Sequence, residues 1–314
     1  MKRLITFCIT AVCTVQLCGC NRSEMKKPLI AIIVPSQDNP FFKVEADAAA
    51  AKAIELGYRV RVDAHNDDAY QQDVLVDAAI ASQASAIILD NAGSDSSISA
   101  VRRATNAGIP CFLVDREIDA RGIAKAQIVA DNRQGAELVA KAFADALPAN
   151  GAAYAELLGR ESDTNAQVRT AGFHAVLDKI PALHQVAAQS ANWSQAEAFQ
   201  KTETMLQSHP EIKGIIAGND TMVIGASAAV KTAGLKGIVL VGFDGSPDAV
   251  SAIQAGTVTA TALQPAVVIS HMAVEQADRY LKTHTTGHPE VQVIACDLVT
   301  HANAKNFHNF ERVQ

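Results

Sequence analysis

Six stretches of the chain carry hydrogen-bonding side chains suited to gripping a small polyhydroxylated molecule. They are Pro35-Ser-Gln-Asp-Asn-Pro-Phe-Phe42, Asp90-Asn91, Asp115-Arg116, Asn219-Asp220, Phe243-Asp244 and Gln264. A sugar hydroxyl both donates and accepts, so Asp and Arg can each make charge-assisted bonds to it. The C–H face of a sugar ring stacks on aromatic rings, and Phe41 and Phe42 follow directly on the polar turn. Two adjacent aromatics cannot share one helix face; one is expected in the core, and the other needs an apolar partner of its own. The plainer alternative for the turn is a helix start capped by Asp38 or Asn39, and Asp220 and Asp244 also read as caps. Five polar groups in register at strand ends favour a cleft lined from both sides.

Catalytic sets are not legible. His65, His174, His184 and His271 are scattered, with no Ser/His/Asp or Cys/His arrangement and no metal-ligand spacing. Gly-rich phosphate loops are missing, so no cofactor or metal is implied. Asp115 with Asp244 would suit glycoside hydrolysis as paired carboxylates. Arg116 and Arg169 are expected to keep both ionised, which suits binding better than acid catalysis.

The polar groups follow apolar runs that read as strands: Leu29–Val34, Arg59–Asp63, Ala86–Leu89, Pro110–Val114 and Gln127–Ala130. Ala-rich helical stretches alternate with them at Phe42–Leu56, Gln71–Ser82 and Ser96–Ala107, and Gly57 and Gly108 stand where left-handed C-cap residues belong. The pattern restarts with strands Ala152–Leu158, Gln185–Ala188, Gly214–Ala217, Ile238–Val241 and Val258–Ala262. Helices are expected at Ala166–Leu177, Ser194–Ser208, Met222–Ala233 and Pro247–Gln254, with a closing helix Val267–Lys282 and strand Val291–Cys296. Near-continuous apolar strands between helices predict an α/β fold with parallel sheets covered on both faces. The two series make two doubly wound lobes, and no flexible linker separates them near Ala130–Arg133.

The chain opens with Lys2-Arg3 and an apolar stretch, Leu4–Leu17, too short to span a bilayer. It ends in Leu17-Cys18-Gly19-Cys20, which resembles a bacterial lipobox with Cys20 as the lipid-bearing residue. The alternative is an ordinary secretory signal cleaved nearby. Residues 1–19 are therefore expected to be a signal peptide and 20–27 a tether. Four of the six cysteines lie in that region; Cys111 and Cys296 sit in apolar runs and are expected as buried thiols, although a disulfide between them stays open. Loss of Lys2 and Arg3 leaves 25 basic against 33 acidic side chains, net −8, which argues against nucleic acid as a partner.

With these motifs in order, the sequence resembles type I periplasmic sugar-binding proteins of ABC importers, and most the ribose-binding group, from Pro28 to about Phe310. The most specific stretches are Asn39-Pro-Phe-Phe42, Leu113-Val-Asp-Arg116 and Val241-Gly-Phe-Asp-Gly-Ser-Pro-Asp248; Ala130-Asp-Asn132, Arg169–Phe173 and Asn219-Asp220 are weaker. The resemblance implies two lobes joined by a three-crossing hinge, residues 28–130 with 265–293 and residues 131–264 with 294–314. It also implies ligand-binding roles for Asn39, Phe41, Phe42, Asn91, Asp115, Arg116, Arg169, Trp193, Asn219, Phe243, Asp244 and Gln264. Trp193 stands where Phe is usual, Gln167 near where a further Arg is found, Asp38 in place of an amide, and Ala92-Gly93 after Asn91 in place of Pro-Thr. These departures keep the class and put ribose itself in question.

The implied function is non-catalytic: a monomeric, exported and lipid-anchored protein closes on a pentose or similar monosaccharide. It would deliver the sugar to an inner-membrane permease, and a chemoreceptor is a second partner in some members. A receptor for a polyol or a furanosyl quorum signal needs the same cleft, and a glycoside-cleaving enzyme is the weaker rival. Repressors sharing the two-lobed fold need an N-terminal helix-turn-helix and a basic surface, which the lipobox-like start and the negative charge contradict.

Overall fold

A computed structural model describes residues 27–312. The expected signal segment, Cys20 and the tether as far as residue 26 lie outside them.

The first sheet holds β1 (Leu29–Val34), β2 (Arg59–Ala64), β3 (Ala86–Leu89), β4 (Cys111–Val114), β5 (Ala126–Ala130) and β11 (Val291–Ile294). Its order is β11-β5-β4-β3-β1-β2, and every pairing is parallel. The second holds β6 (Ala152–Leu158), β7 (Leu183–Ser190), β8 (Ile212–Ala217), β9 (Val239–Asp244), β10 (Ala260–Leu263) and β12 (Asp297–Thr300), in the order β12-β10-β9-β8-β6-β7. Only its edge strand β12 runs antiparallel, on β10. Inner strands such as β1 are buried along their whole length, as a sheet covered on both faces demands, whereas the edge strands β2 and β7 are partly exposed, and β2 alternates polar and apolar.

Helices α1 (Pro40–Glu55), α2 (Ala69–Ala81), α3 (Ile98–Asn106) and α9 (Ala266–Thr283) cover the first sheet. Helices α4 (Asn132–Ala146), α5 (Thr164–Leu177), α6 (Gln195–Ser208), α7 (Asp220–Thr232) and α8 (Pro247–Gln254) cover the second. Gly57 and Gly108 adopt φ of +93° and +82° just past α1 and α3, so they end those helices as expected. Helix α4 is absent from the expected helices although Asp131, between β5 and α4, caps it by accepting from Gln134 N at 3.0 Å. Ala136, Val139, Ala140 and Phe143 also repeat at helical spacing, and all are buried.

The chain passes between the lobes at Ala130–Asn132, Leu263–Ala266 and Ile294–Asp297. Two of these crossings are tied together: Asp131 N donates to Ile294 O at 2.7 Å, and Gln134 exchanges two bonds with the Cys296 backbone. Cys111 and Cys296 are buried free thiols, each pushed by burial up to about 12 and therefore unreactive. The described residues end in a short hairpin, β13 (Phe307–His308) and β14 (Glu311–Arg312). Its turn residue Phe310 is fully buried against Phe41 of α1, edge to face at 5.6 Å. This part of the segment assigned from sequence to the second lobe thus packs on the first, filling the apolar gap beside Phe41.

Helix α5, which carries Arg169, is pinned to its sheet from behind. Glu156 of β6 accepts from Thr170 at 2.8 Å and Gln185 at 2.8 Å, and pairs with His174 Nε2 at 3.1 Å. Those bonds, with Asp178, raise the His174 pKa to about 9. A raised folded value means that the stability from this contact is complete below the ordinary histidine range and lost as pH rises through about 9. Chemical denaturation is expected to show wild type losing stability over that interval, with His174→Gln flatter; parallel curves would disprove it. Among the described residues no helix is long and apolar enough to cross a membrane.

Candidate functional site

The carboxyl ends of both sheets face each other, and the loops that follow the strands line a cleft between the lobes with about 240 Å3 of empty space, part of it open to solvent. Ten of the sequence-predicted residues line it: Asn39, Phe41, Phe42, Asp115, Arg116, Arg169, Trp193, Asn219, Asp244 and Gln264. Asn91 and Phe243 stand behind the wall. The Asn91 amide is used on the loop backbone, donating to Arg116 O at 2.8 Å and accepting from Gly93 N at 3.0 Å. Phe243 is fully buried beneath Arg169, whose guanidinium lies 3.9 Å from the ring centre. Gln167 is exposed and faces away.

Asn39 and Asn219 cap α1 and α7 with their side-chain oxygens, accepting from Phe41 N at 3.0 Å and Met222 N at 2.9 Å. The cap and cleft readings therefore hold together, since capping leaves each amide NH2 to offer a ligand. Phe41 is held by Phe42, Phe310 and Ala266, while the Phe42 ring lies under the Arg116 guanidinium at 5.0 Å. Trp193 walls the second lobe. Gly159 and Gly218 make room for its indole; a Cβ at 159 would overlap the ring. Gly159→Ala is expected to push the indole into the cavity at a cost of about 1–3 kcal/mol and to abolish ligand binding. Calorimetric titration that finds wild-type affinity would refute that packing.

Three wall residues sit in left-handed backbone conformations: Asp115 at φ +57°, Trp193 at +65° and Asp244 at +121°. Non-glycine residues there carry strain that the surrounding structure must over-determine, and such strain collects at ligand sites.

Arg169 donates to Asn132 Oδ1 at 2.7 Å, Gly218 O at 2.9 Å and Asp244 Oδ1 at 3.3 Å. Gln264 Nε2 donates to the same Asp244 oxygen at 2.8 Å. Arg116 is 1 % exposed and pairs with Asp67 at 2.7 Å and Asp163 at 2.8 Å. Burial pushes the Asp115 carboxyl up to about 7, reinforced by Asp163 and opposed by Arg169 and Arg116. Burial likewise raises Asp244 to about 7 against the pull of Arg169. The arginines were expected to keep both acids firmly ionised; desolvation in the closed cleft outweighs them.

Two wall residues escaped the sequence reading, Asp163 and Asn165 at the start of α5. Asp163 caps α5, receives the Trp193 indole N–H at 3.2 Å, and meets Arg116 of the other lobe. Asn165 donates across the cleft to Asp115 O at 3.1 Å. With Ser94 N donating to Ser162 O at 3.2 Å, these contacts hold the lobes shut. Both residues follow strand β6, the same strand-end signal that marked the other groups.

The periplasmic binding protein domain family matches residues 30–285. The chain belongs to this family. As a periplasmic-type binding protein it is a non-catalytic solute receptor of an ABC sugar or polyol importer, and it binds a polyhydroxylated small molecule. It is 55% identical over 304 residues to a D-apiose import binding protein of Paraburkholderia graminis, covering 97% of each chain. It is 32% identical to the ribose import binding protein of Escherichia coli, over 90% of this chain and 93% of that one. The periplasmic solute-binding protein of Actinobacillus succinogenes with bound D-allose superposes at a TM-score of 0.84 and 30% identity, covering 90% of this chain and all of that one.

Proposed function

We propose that this periplasmic binding protein captures a single pentose, D-apiose foremost, and presents it closed-in to its permease. The observation that carries this reading is a set of buried polar atoms without partners on the cavity wall: Asp115 Oδ1, Arg116 Nη2 and Gln264 Oε1. Left unpaired, each would cost about 1–3 kcal/mol, so the site calls for a ligand that donates and accepts at several points. The aromatic walls Phe41, Phe42 and Trp193 supply stacking faces. D-apiose, a branched five-carbon aldose, meets these demands, and the P. graminis relative supports it.

In this reading Asn39, Asp115, Arg116, Arg169, Asn219, Asp244 and Gln264 bond the hydroxyls, and Asn91 and Phe243 support the wall from behind. A thermal-shift screen with D-apiose, D-ribose, D-allose, myo-inositol and furanosyl signal compounds tests it. A ligand that binds only the folded state raises Tm by mass action. The largest shift is expected with D-apiose; a larger shift with a polyol or a signal compound would replace the pentose reading.

The lobe boundaries follow the three crossings, and Cys20 carries a lipid that holds the monomer to the cell envelope in the periplasm. Cys20→Ala is expected to move the protein from the membrane fraction to the soluble periplasmic fraction. Unchanged fractionation would overturn the anchor.

A further inference from the structure

Behind the cleft lie two buried carboxyl groups that do not line it. Glu45 of α1, one turn after Phe41 and Phe42, is 1 % exposed, and Asp90 beyond β3 is fully buried. All four of their carboxyl oxygens lack a donor. The two side chains lie within hydrogen-bond reach of each other. The nearby cation is Arg116, which is closer to Asp67 at 2.7 Å and Asp163 at 2.8 Å than to Asp90 at 3.5 Å. A guanidinium shared among Asp67 and Asp163 does not neutralise two further buried carboxylates. The other groups acting on the pair are Asp115, which faces both acids, and His65, bonded at 2.8 Å to the Asp90 carbonyl. Helix α9 contributes the Ser270 hydroxyl, which donates to Glu45 O at 3.0 Å.

Two carboxyls that face each other without a donor can bond only when one carries a proton. We propose that Glu45 and Asp90 form a proton-sharing pair that positions Asp115 and Arg116 for the ligand, a role that rests on the reading of the cleft given above. Burial without a donor favours the protonated form and raises both acids well above the ordinary carboxyl range. Its proton keeps a further negative charge away from Asp115 and leaves Arg116 committed to Asp67, Asp163 and the cavity. Loss of that proton would draw Arg116 toward Asp90 and drive Asp115 toward its neutral form.

Ligand-free measurements come first. Infrared difference spectra of the full chain at neutral pH are expected to show a buried protonated carboxyl band in wild type that Glu45→Gln/Asp90→Asn lacks. The raised folded values make the pair's stability contribution greatest below the ordinary carboxyl range and progressively lost as pH rises, so wild-type Tm should fall more steeply than that of the double variant as pH rises above that range. Identical bands and identical slopes would overturn the proposal. The positioning role is read with D-apiose: Glu45→Leu should weaken binding about tenfold or more, and Glu45→Gln should restore it to within about threefold of wild type. Wild-type affinity in Glu45→Leu would overturn that role. If wild type itself ignores D-apiose, the ligand assignment fails, and the two ligand-free readouts decide the pair alone.

Discussion

Arg116→Met is expected to abolish ligand binding and to lower Tm more than any other single change in the cleft. The guanidinium is buried under Phe42, bonds the Asn91 carbonyl at 3.0 Å, and pairs with Asp67 of its own lobe and Asp163 of the other. Methionine fills most of the volume and removes the charge. Asp163 then loses its cation and Asp67 keeps only Arg160 at 3.5 Å, and removal of one partner from a buried pair costs about 3–5 kcal/mol. For a chain of this size that is a fall of roughly 10 °C in Tm. Scanning calorimetry checks the fall and titration checks the binding. A Tm within about 2 °C of wild type would mean that the interlobe pairing contributes little.

The second large effect belongs to Arg169→Ala. This side chain joins three elements of the second lobe: Asn132 at the first crossing, Gly218 after β8 and Asp244 at the end of β9. It also stacks between Phe243 at 3.9 Å and Trp193 at 5.5 Å. The truncation frees Asp244 from its cation and lets the indole wall relax. A loss of about 3–5 kcal/mol corresponds to a weakening of roughly 10²–10⁴-fold in affinity. Stability should suffer less than in Arg116→Met, because no charge of the opposite lobe is stranded. Affinity within a factor of about two of wild type would remove Arg169 from the binding site.

Much of this was legible in the sequence for a physical reason. Strands buried on both faces are written as unbroken apolar runs, and the residue that ends such a run must be polar if it borders a cleft. Asp115, Asn219, Asp244 and Gln264 were found this way. The same rule reaches Asp163, but that residue stands five positions after β6 behind Gly159, half-buried Arg160 and exposed Glu161, so the signal is diluted. Asn91 was misplaced because residue type and position at a strand end do not say which way an amide turns; here the loop backbone claims it. The burial that lifts Asp115 and Asp244 to about 7 is likewise a property of the closed lobes. Arginine neighbours are visible in sequence, whereas the loss of water around them is a tertiary fact. Phe310 shows the same limit, since its partner Phe41 lies at the other end of the chain.

Isothermal titration with D-apiose should find one molecule bound per chain, with binding lost in Arg116→Met and Arg169→Ala. An absence of binding by D-apiose and by every other pentose offered at saturating concentration would contradict the pentose reading.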